Sequence, residues 1–316
     1  MSRRNLSLAA LCTALAAISL LWDPLAVLAL PSDIRQTILI ELRLPRTILG
    51  LAVGASLGLT GAALQGLLRN PLASPDVLGT STGAALGAVV ASYYIGVGGT
   101  FAVAVGGMAG AVIALLLLLL LAGRGASTAT LVLAGVAVSA LAGALTNLAL
   151  SLAPSPFALY DILFWLLGSL ADRSLDHVAF AVPPMALGCW LAWRGRHGLD
   201  ALALDEDVAT TLGVDVRRLR RDIVIGTGIA VGAGVAAAGA IGFIGLIVPH
   251  LVRSWVRHRP GAALAPSALA GAALLTAADL VVRVPINGQE LKLGVLTAMI
   301  GAPFFLRLIL RGKAVS

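Results

Sequence analysis

The chain has 316 residues, 59% hydrophobic and 12% charged, with a formal net charge of +7. Its mean hydropathy of +0.98 exceeds what a soluble core needs, and several uncharged windows outrun the roughly 20 residues that cross a bilayer as a helix. Strand alternation is absent, which disfavours a barrel. The basic residues fall in short polar breaks with no aromatic interleaving, which argues against nucleic acid.

The first segment, MSRRNLSLAALCTALAAISLLW, has the basic-then-apolar order of a signal peptide. No small-x-small cleavage site followed by a soluble domain comes after it, so it reads as a retained first span near 6–22. Further spans are predicted near 47–68, 77–95, 101–122, 128–150, 176–193, 261–282 and 290–310. Ile223 to Val252 carries no Asp, Glu, Lys or Arg over thirty residues, long for one helix and short for two. A tight hairpin of two short spans turning near 236–242 gives ten spans with both termini on one side. Sixteen basic residues then face the cytoplasm, including Arg69, Arg124 and the six arginines between 194 and 221, and six face outside. That is the positive-inside bias.

Aromatic content is 5% while glycine reaches 36 residues, so the helices are expected to pack through small side chains. Gly54/Gly58, Gly83/Gly87, Gly106/Gly110 and Gly228/Gly232 fit that spacing. A shift of 178 aligns Gly50 with Gly228, Gly54 with Gly232, Gly61 with Gly239 and Pro71 with Pro249. The copies begin at spans 2 and 7, an odd separation, so they run in opposite directions as in transporters. The predicted fold is therefore an all-α polytopic membrane protein of about ten transmembrane helices with two inverted repeats. It forms one domain, 1–316, with halves at 43–175 and 221–316 and a polar segment at 194–221.

Three stretches stand out. RNPLASPDVLG at 69–79 places two prolines, an Asn and an Asp between apolar runs; it is either an ordinary loop or irregular backbone at membrane depth beside a wet pathway. RGRHGLDALALDEDVATTLGVDVRRLRRD at 194–222 suggests a short helix with Asp205, Glu206 and Asp207 at its start, a stop at Gly213 and a second, basic helix. Such a piece either docks on a soluble partner or lies solvated beside the headgroups. At the other face, Arg43, Arg46 and Arg283 either grip acidic side chains of an external partner or form local ion pairs, Arg283 with Asp279. Asp279 and Glu290 read as snorkelling residues at span ends. Gln65, Asn70 and Asn147 are explained by helix–helix hydrogen bonds or by a substrate pathway. The four histidines lack metal-ligand spacing, and Cys12 and Cys189 read as inert, buried side chains. No GxxxxGK[ST] motif occurs, so energy for uphill transport must come from a partner or an ion gradient.

RLPRTILGLAVGASLGLTGAALQGLLRNPLASPDVLGTSTGA (43–84), LDALALDEDVATTLGV (199–214), GAIGFIGLIVPHLVR (239–253), and ADLVVR with ELKLGVLTAMIGAPFFL (278–283 and 290–306) resemble the permease subunits of bacterial ABC importers for iron-siderophores, haem and cobalamin, the FecCD family. The resemblance runs in order through nearly the whole chain. Asp205 departs from it, standing where the family usually has Gly before Glu, and so does Lys292, where Pro is common.

The resemblance implies a multi-pass permease of the bacterial cytoplasmic membrane with both termini cytoplasmic, pairing with a second permease copy, most simply as a homodimer. Two cytoplasmic ATPase subunits are expected to dock on Leu204, Asp205, Glu206, Ala209, Leu212 and Gly213, and to hold the ATP and Mg. This chain is then no enzyme and carries no cofactor. A periplasmic or lipid-anchored binding protein is expected at Arg43, Arg46 and Arg283, and a cytoplasmic gate at Asn70, Leu72, Ser127 and Thr128. WLLGSLADRS (165–174) resembles iron-siderophore and then haem permeases more than cobalamin ones. The competing classes are an ion-gradient-driven secondary transporter, a channel and a membrane scaffold.

Overall fold

The computed structural model describes residues 3–22, 31–94, 100–123, 127–285 and 290–313, so the prediction for Arg124 lies outside them. The helices are α1 (Arg3–Leu21), α2 (Ser32–Thr37), α3 (Leu44–Leu67), α4 (Thr80–Tyr94), α5 (Thr100–Ala122), α6 (Thr128–Ser151), α7 (Pro156–Leu166), α8 (Leu175–Arg194), α9 (Arg196–Leu202), α10 (Glu206–Thr211), α11 (Val216–Ala238), α12 (Ile244–Arg253), α13 (Pro260–Val282) and α14 (Leu293–Lys313). No strand occurs among the described residues. Among the described residues seven helices are long and apolar enough to cross a membrane, α12 and α14 carry shorter apolar stretches, and α4 has 15 residues. Cys12 and Cys189 are half-buried rather than buried.

The region left ambiguous by hydropathy turns near the expected 236–242, but its two arms are unequal. α11 is a full-length helix of 23 residues that starts at Val216, where the Asp215 side chain accepts from the Arg218 N–H. The basic residues that look like a separate helix are its first turns. A bend at 239–243 follows, and then the 10-residue α12, about 15 Å long and only part of a bilayer. A second departure is α7, an 11-residue helix between spans 5 and 6. The span expected at 77–95 also starts late, at Thr80.

Glycine sets the packing. α3 runs against α13, and α11 against α5. A Cβ on Gly54 or Gly58 would strike the backbone carbonyls of Gly271 and Ser267, while Gly228 and Gly232 face Leu115 and Ala111 of α5. The repeat-matched glycines thus do the same job in both halves, each bringing the leading helix of one half against a helix of the other. The two leading helices are antiparallel: Leu199 of α9 lies at Gly66 near the end of α3, and Gly198 at Leu219 near the start of α11.

Candidate functional site

The first candidate site lies at the end of the bundle that carries α9 and α10. After α3 ends, Arg69 takes a left-handed conformation (φ 47°) and turns the chain back into the bundle. Asn70 Oδ1 accepts from the Leu72 N–H at 2.9 Å, closing a local turn. Pro75 then packs at Gly245, which also faces the carbonyl of Leu57, ten residues or about 15 Å before α3 ends at Leu67. Residues 69–79 are therefore re-entrant backbone. The polar groups that the prolines leave unpaired in a helix are satisfied within the protein, as a low-dielectric surrounding demands: Val77 N–H donates to Ser74 O and Gly79 N–H to Asp76 O. Gln65 Nε2 donates to Ala73 O (3.3 Å) and to Leu246 O (3.2 Å), clamping this segment to α12. Asn70 and Leu72 are exposed. Ser127 caps α6, accepting from the Thr130 N–H at 3.1 Å, with Thr128 next to it. α6 packs directly on the re-entrant segment at Gly135, where a Cβ would strike the Val77 carbonyl.

α10 projects beside this segment. Its helix is closed by a Schellman motif: Gly213 (φ 83°) donates to Thr210 O and Val214 to Ala209 O. Leu204, Val208 and Leu212, four residues apart, are 68%, 42% and 64% exposed, while Ala209 is fully buried. Ala209 therefore anchors α10 to the bundle, while Val208 and Leu212, with Leu204 just before the extended N-cap Asp205, leave apolar surface exposed around the helix. Two ion pairs join this helix to its surroundings: Arg69 with Asp205 at 3.9 Å and Arg220 of α11 with Glu206 at 3.5 Å. Asp200 of α9 accepts from Arg259 at 2.6 Å and from the Gly261 N–H at 2.9 Å, fixing α9 to the start of α13. Gln65 makes the interhelical hydrogen bond that is one of its two expected roles; in the sequence Arg69 and Arg220 register only as basic residues of polar breaks, and Val208 is not singled out there.

The opposite end has a different construction. Arg283 is 7% exposed. Its Nε and Nη2 donate to Asp279 Oδ2 at 2.9 and 2.7 Å, and its Nη1 and Nη2 donate to the carbonyl and hydroxyl of Ser19 at 2.7 Å. Arg46 donates to both oxygens of Asp279 at 3.0 Å and to Glu290 at 3.1 Å. Arg43 donates to Leu20 O at 3.0 Å. The local ion-pair reading of Arg283 holds, extended to Arg46 and to α1: Arg283 ties α13 to α1, Asp279 ties both to α3 through Arg46, and Arg43 is half-exposed. Asp279 is a buried hub, not a snorkelling residue. Nearby, Ser32–Leu67 runs as one 36-residue helical stretch, about 54 Å long and longer than a bilayer core. Its π-turns at Ile38–Arg43 precede Pro45, whose missing N–H an α-helix cannot use there.

An all-helical membrane bundle with re-entrant backbone at its heart and an exposed helical handle tied to that backbone is the architecture of a permease. The sequence profile of the FecCD transport family matches residues 6–311, and the chain belongs to that family. It is 41% identical over 276 residues to a cobalamin import system permease protein of Halobacterium salinarum, covering 87% of this chain and 73% of that one. To a vitamin B12 import system permease protein of Vibrio cholerae it is 38% identical over 282 residues, 89% and 85% of the two chains. A solved structure described as an inward-facing conformation of a metal-chelate type ABC transporter superposes with a TM-score of 0.89 at 31% identity, covering 98% of this chain and all of that one. The chain is an ABC importer permease.

Proposed function

We propose that this chain is the membrane subunit of a binding-protein-dependent importer that takes up a bulky metal chelate, a corrinoid ahead of an iron-siderophore or haem. The relatives named for cobalamin support the first substrate. The metal-chelate neighbour accommodates the second, which is the one expected from residues 165–174. Basic residues crowd the α9–α10 end, so by the positive-inside rule that end is cytoplasmic. The bond from Arg4 to Trp255 O supports an N-terminus on the same side.

The observation that carries the reading is the double fastening of α10. Its exposed apolar surface, from Leu204, Val208 and Leu212, suits an apolar groove on a soluble ATPase, and its two acids hold Arg69 of the re-entrant segment and Arg220 of α11. A push on α10 from an ATPase that closes on ATP therefore reaches residues 69–79 directly, where Asn70 and Leu72 with Ser127 and Thr128 form the gate. Only an ATPase state that fits α10 better in one gate conformation can shift the equilibrium. The chelate pathway runs between two copies of the chain, along the broadly exposed faces of α6 and α14. A solute-binding protein docks at the opposite rim, using Arg43 on the platform that Arg46 and Arg283 stiffen. ATP and Mg belong to the partner ATPases.

The test is uptake in proteoliposomes containing the permease, its ATPase and its binding protein, with cobalamin and ferric siderophore as cargos. ATP-dependent cobalamin uptake, lost without the ATPase, is the expected result. Uptake driven by an ion gradient with no ATPase present contradicts the importer reading, and preference for the ferric chelate reverses the substrate order.

A further inference from the structure

At the α9–α10 end a cavity of about 680 Å³ opens between the last turn of α5, the first turn of α6 and the first turns of α11. Arg217, Arg218, Arg220 and Arg221 line it together with Asp215. The carboxylates around it are already engaged. Asp215 accepts from the Arg218 N–H at 2.9 Å, Asp222 lies 3.8 Å from Arg218 and 3.2 Å from Arg221, and Glu206 takes Arg220 at 3.5 Å. Arg217 makes no ion pair among the described residues. Four guanidinium groups against three carboxylates leave the cavity net positive.

The rest of the wall is aliphatic: Leu119, Leu131 and Ile225 complete it. No charged residue follows Asp222 until Arg253, so the arginines stand at the boundary of the apolar core and the aliphatic wall continues into it. A cavity with cations at headgroup level and hydrocarbon beyond has the amphipathic shape of a phospholipid, and a basic pocket between transmembrane helices is where anionic headgroups collect. Free phosphate has no use for the aliphatic wall.

We propose that this cavity binds the phosphate headgroup of an anionic membrane phospholipid on Arg217 and Arg221, with its acyl chains along Leu119 and Ile225. The site stands independently of what the permease transports.

The full-length chain in phosphatidylcholine nanodiscs, titrated with spin-labelled phosphatidylglycerol or spin-labelled phosphatidylcholine, tests this. The phosphatidylglycerol label is expected to be the more strongly immobilised, and Arg217→Gln with Arg221→Gln is expected to cut that preference about tenfold. Arg217→Lys with Arg221→Lys keeps the charge and most of the preference, which separates electrostatics from misfolding. Leu119→Trp fills the wall and is expected to weaken the lipid while leaving the effect of inorganic phosphate unchanged. Equal immobilisation of the two lipids, or a preference unaltered in the glutamine variant, overturns the proposal. So does complete displacement by millimolar inorganic phosphate at matched ionic strength, which assigns the site to a soluble anion. Loss of the preference on adding the partner ATPase overturns it too, since the arginines then belong to that interface.

Discussion

The two ends of the bundle hold their charges in opposite ways. Around Asp279 the pairs are short, buried and multiple, with one carboxylate taking two arginines at 2.7 to 3.0 Å and Arg283 reaching across to α1. Around α10 the pairs are longer, at 3.9 and 3.5 Å, and their carboxylates stand half in solvent. Buried pairs are costly to separate, whereas exposed pairs exchange readily with water. One end is a lock and the other a joint, which is what a bundle needs if force enters at α10 and the opposite rim must keep its shape.

The comparison breaks most visibly at Asp279. Asp279→Ala strands two arginines, one of them fully enclosed, and is expected to cost about 3–5 kcal/mol, read as a large fall in the apparent unfolding temperature of the purified permease. A change of a degree or less would mean that the lock is idle. Next comes helix contact: Gly58→Val drives a side chain into the Ser267 carbonyl and is expected to lose about 1–3 kcal/mol or more, read the same way. At the joint the effect moves from stability to coupling. Leu204→Ala with Leu212→Ala removes most of the exposed apolar surface and is expected to weaken ATPase binding about tenfold or more, measured by copurification, with the unfolding temperature almost unchanged. Glu206→Gln loosens the hold on Arg220 and is expected to leave ATP hydrolysis running with reduced uptake, read as the ratio of the two rates in proteoliposomes. The smallest effect is at the rim: Arg43→Glu is expected to lower binding-protein affinity by a few-fold, more at low salt than at high.

The sequence makes the long helices legible because hydrocarbon tolerates no charge and their boundaries fall at polar breaks. That same rule misplaces the start of α11. Arg217 to Asp222 interrupt the apolar window, yet the helix continues through them because cations at a helix end lie in water and headgroups. α7 is too short for a hydropathy window. The re-entry of residues 69–79 shows in sequence only as helix breakers; its depth depends on Gly245 and Gln65, more than 170 residues apart. Asp279 and Arg283 are one helical turn apart and readable as a pair. Their links to Ser19 and Arg46 come from tertiary packing, so an arginine that looked available for a partner is enclosed.

Residues 69–79 are expected to move when partner ATPases push on α10. The direct measurement replaces Cys12 and Cys189 by Ala, places one cysteine at Asn70, and follows its labelling by a membrane-impermeant maleimide in proteoliposomes of either orientation. Labelling from the ATPase side alone, at a rate that changes when non-hydrolysable ATP traps the complex, is the expected result. Labelling from the binding-protein side, or a rate indifferent to nucleotide, would contradict it.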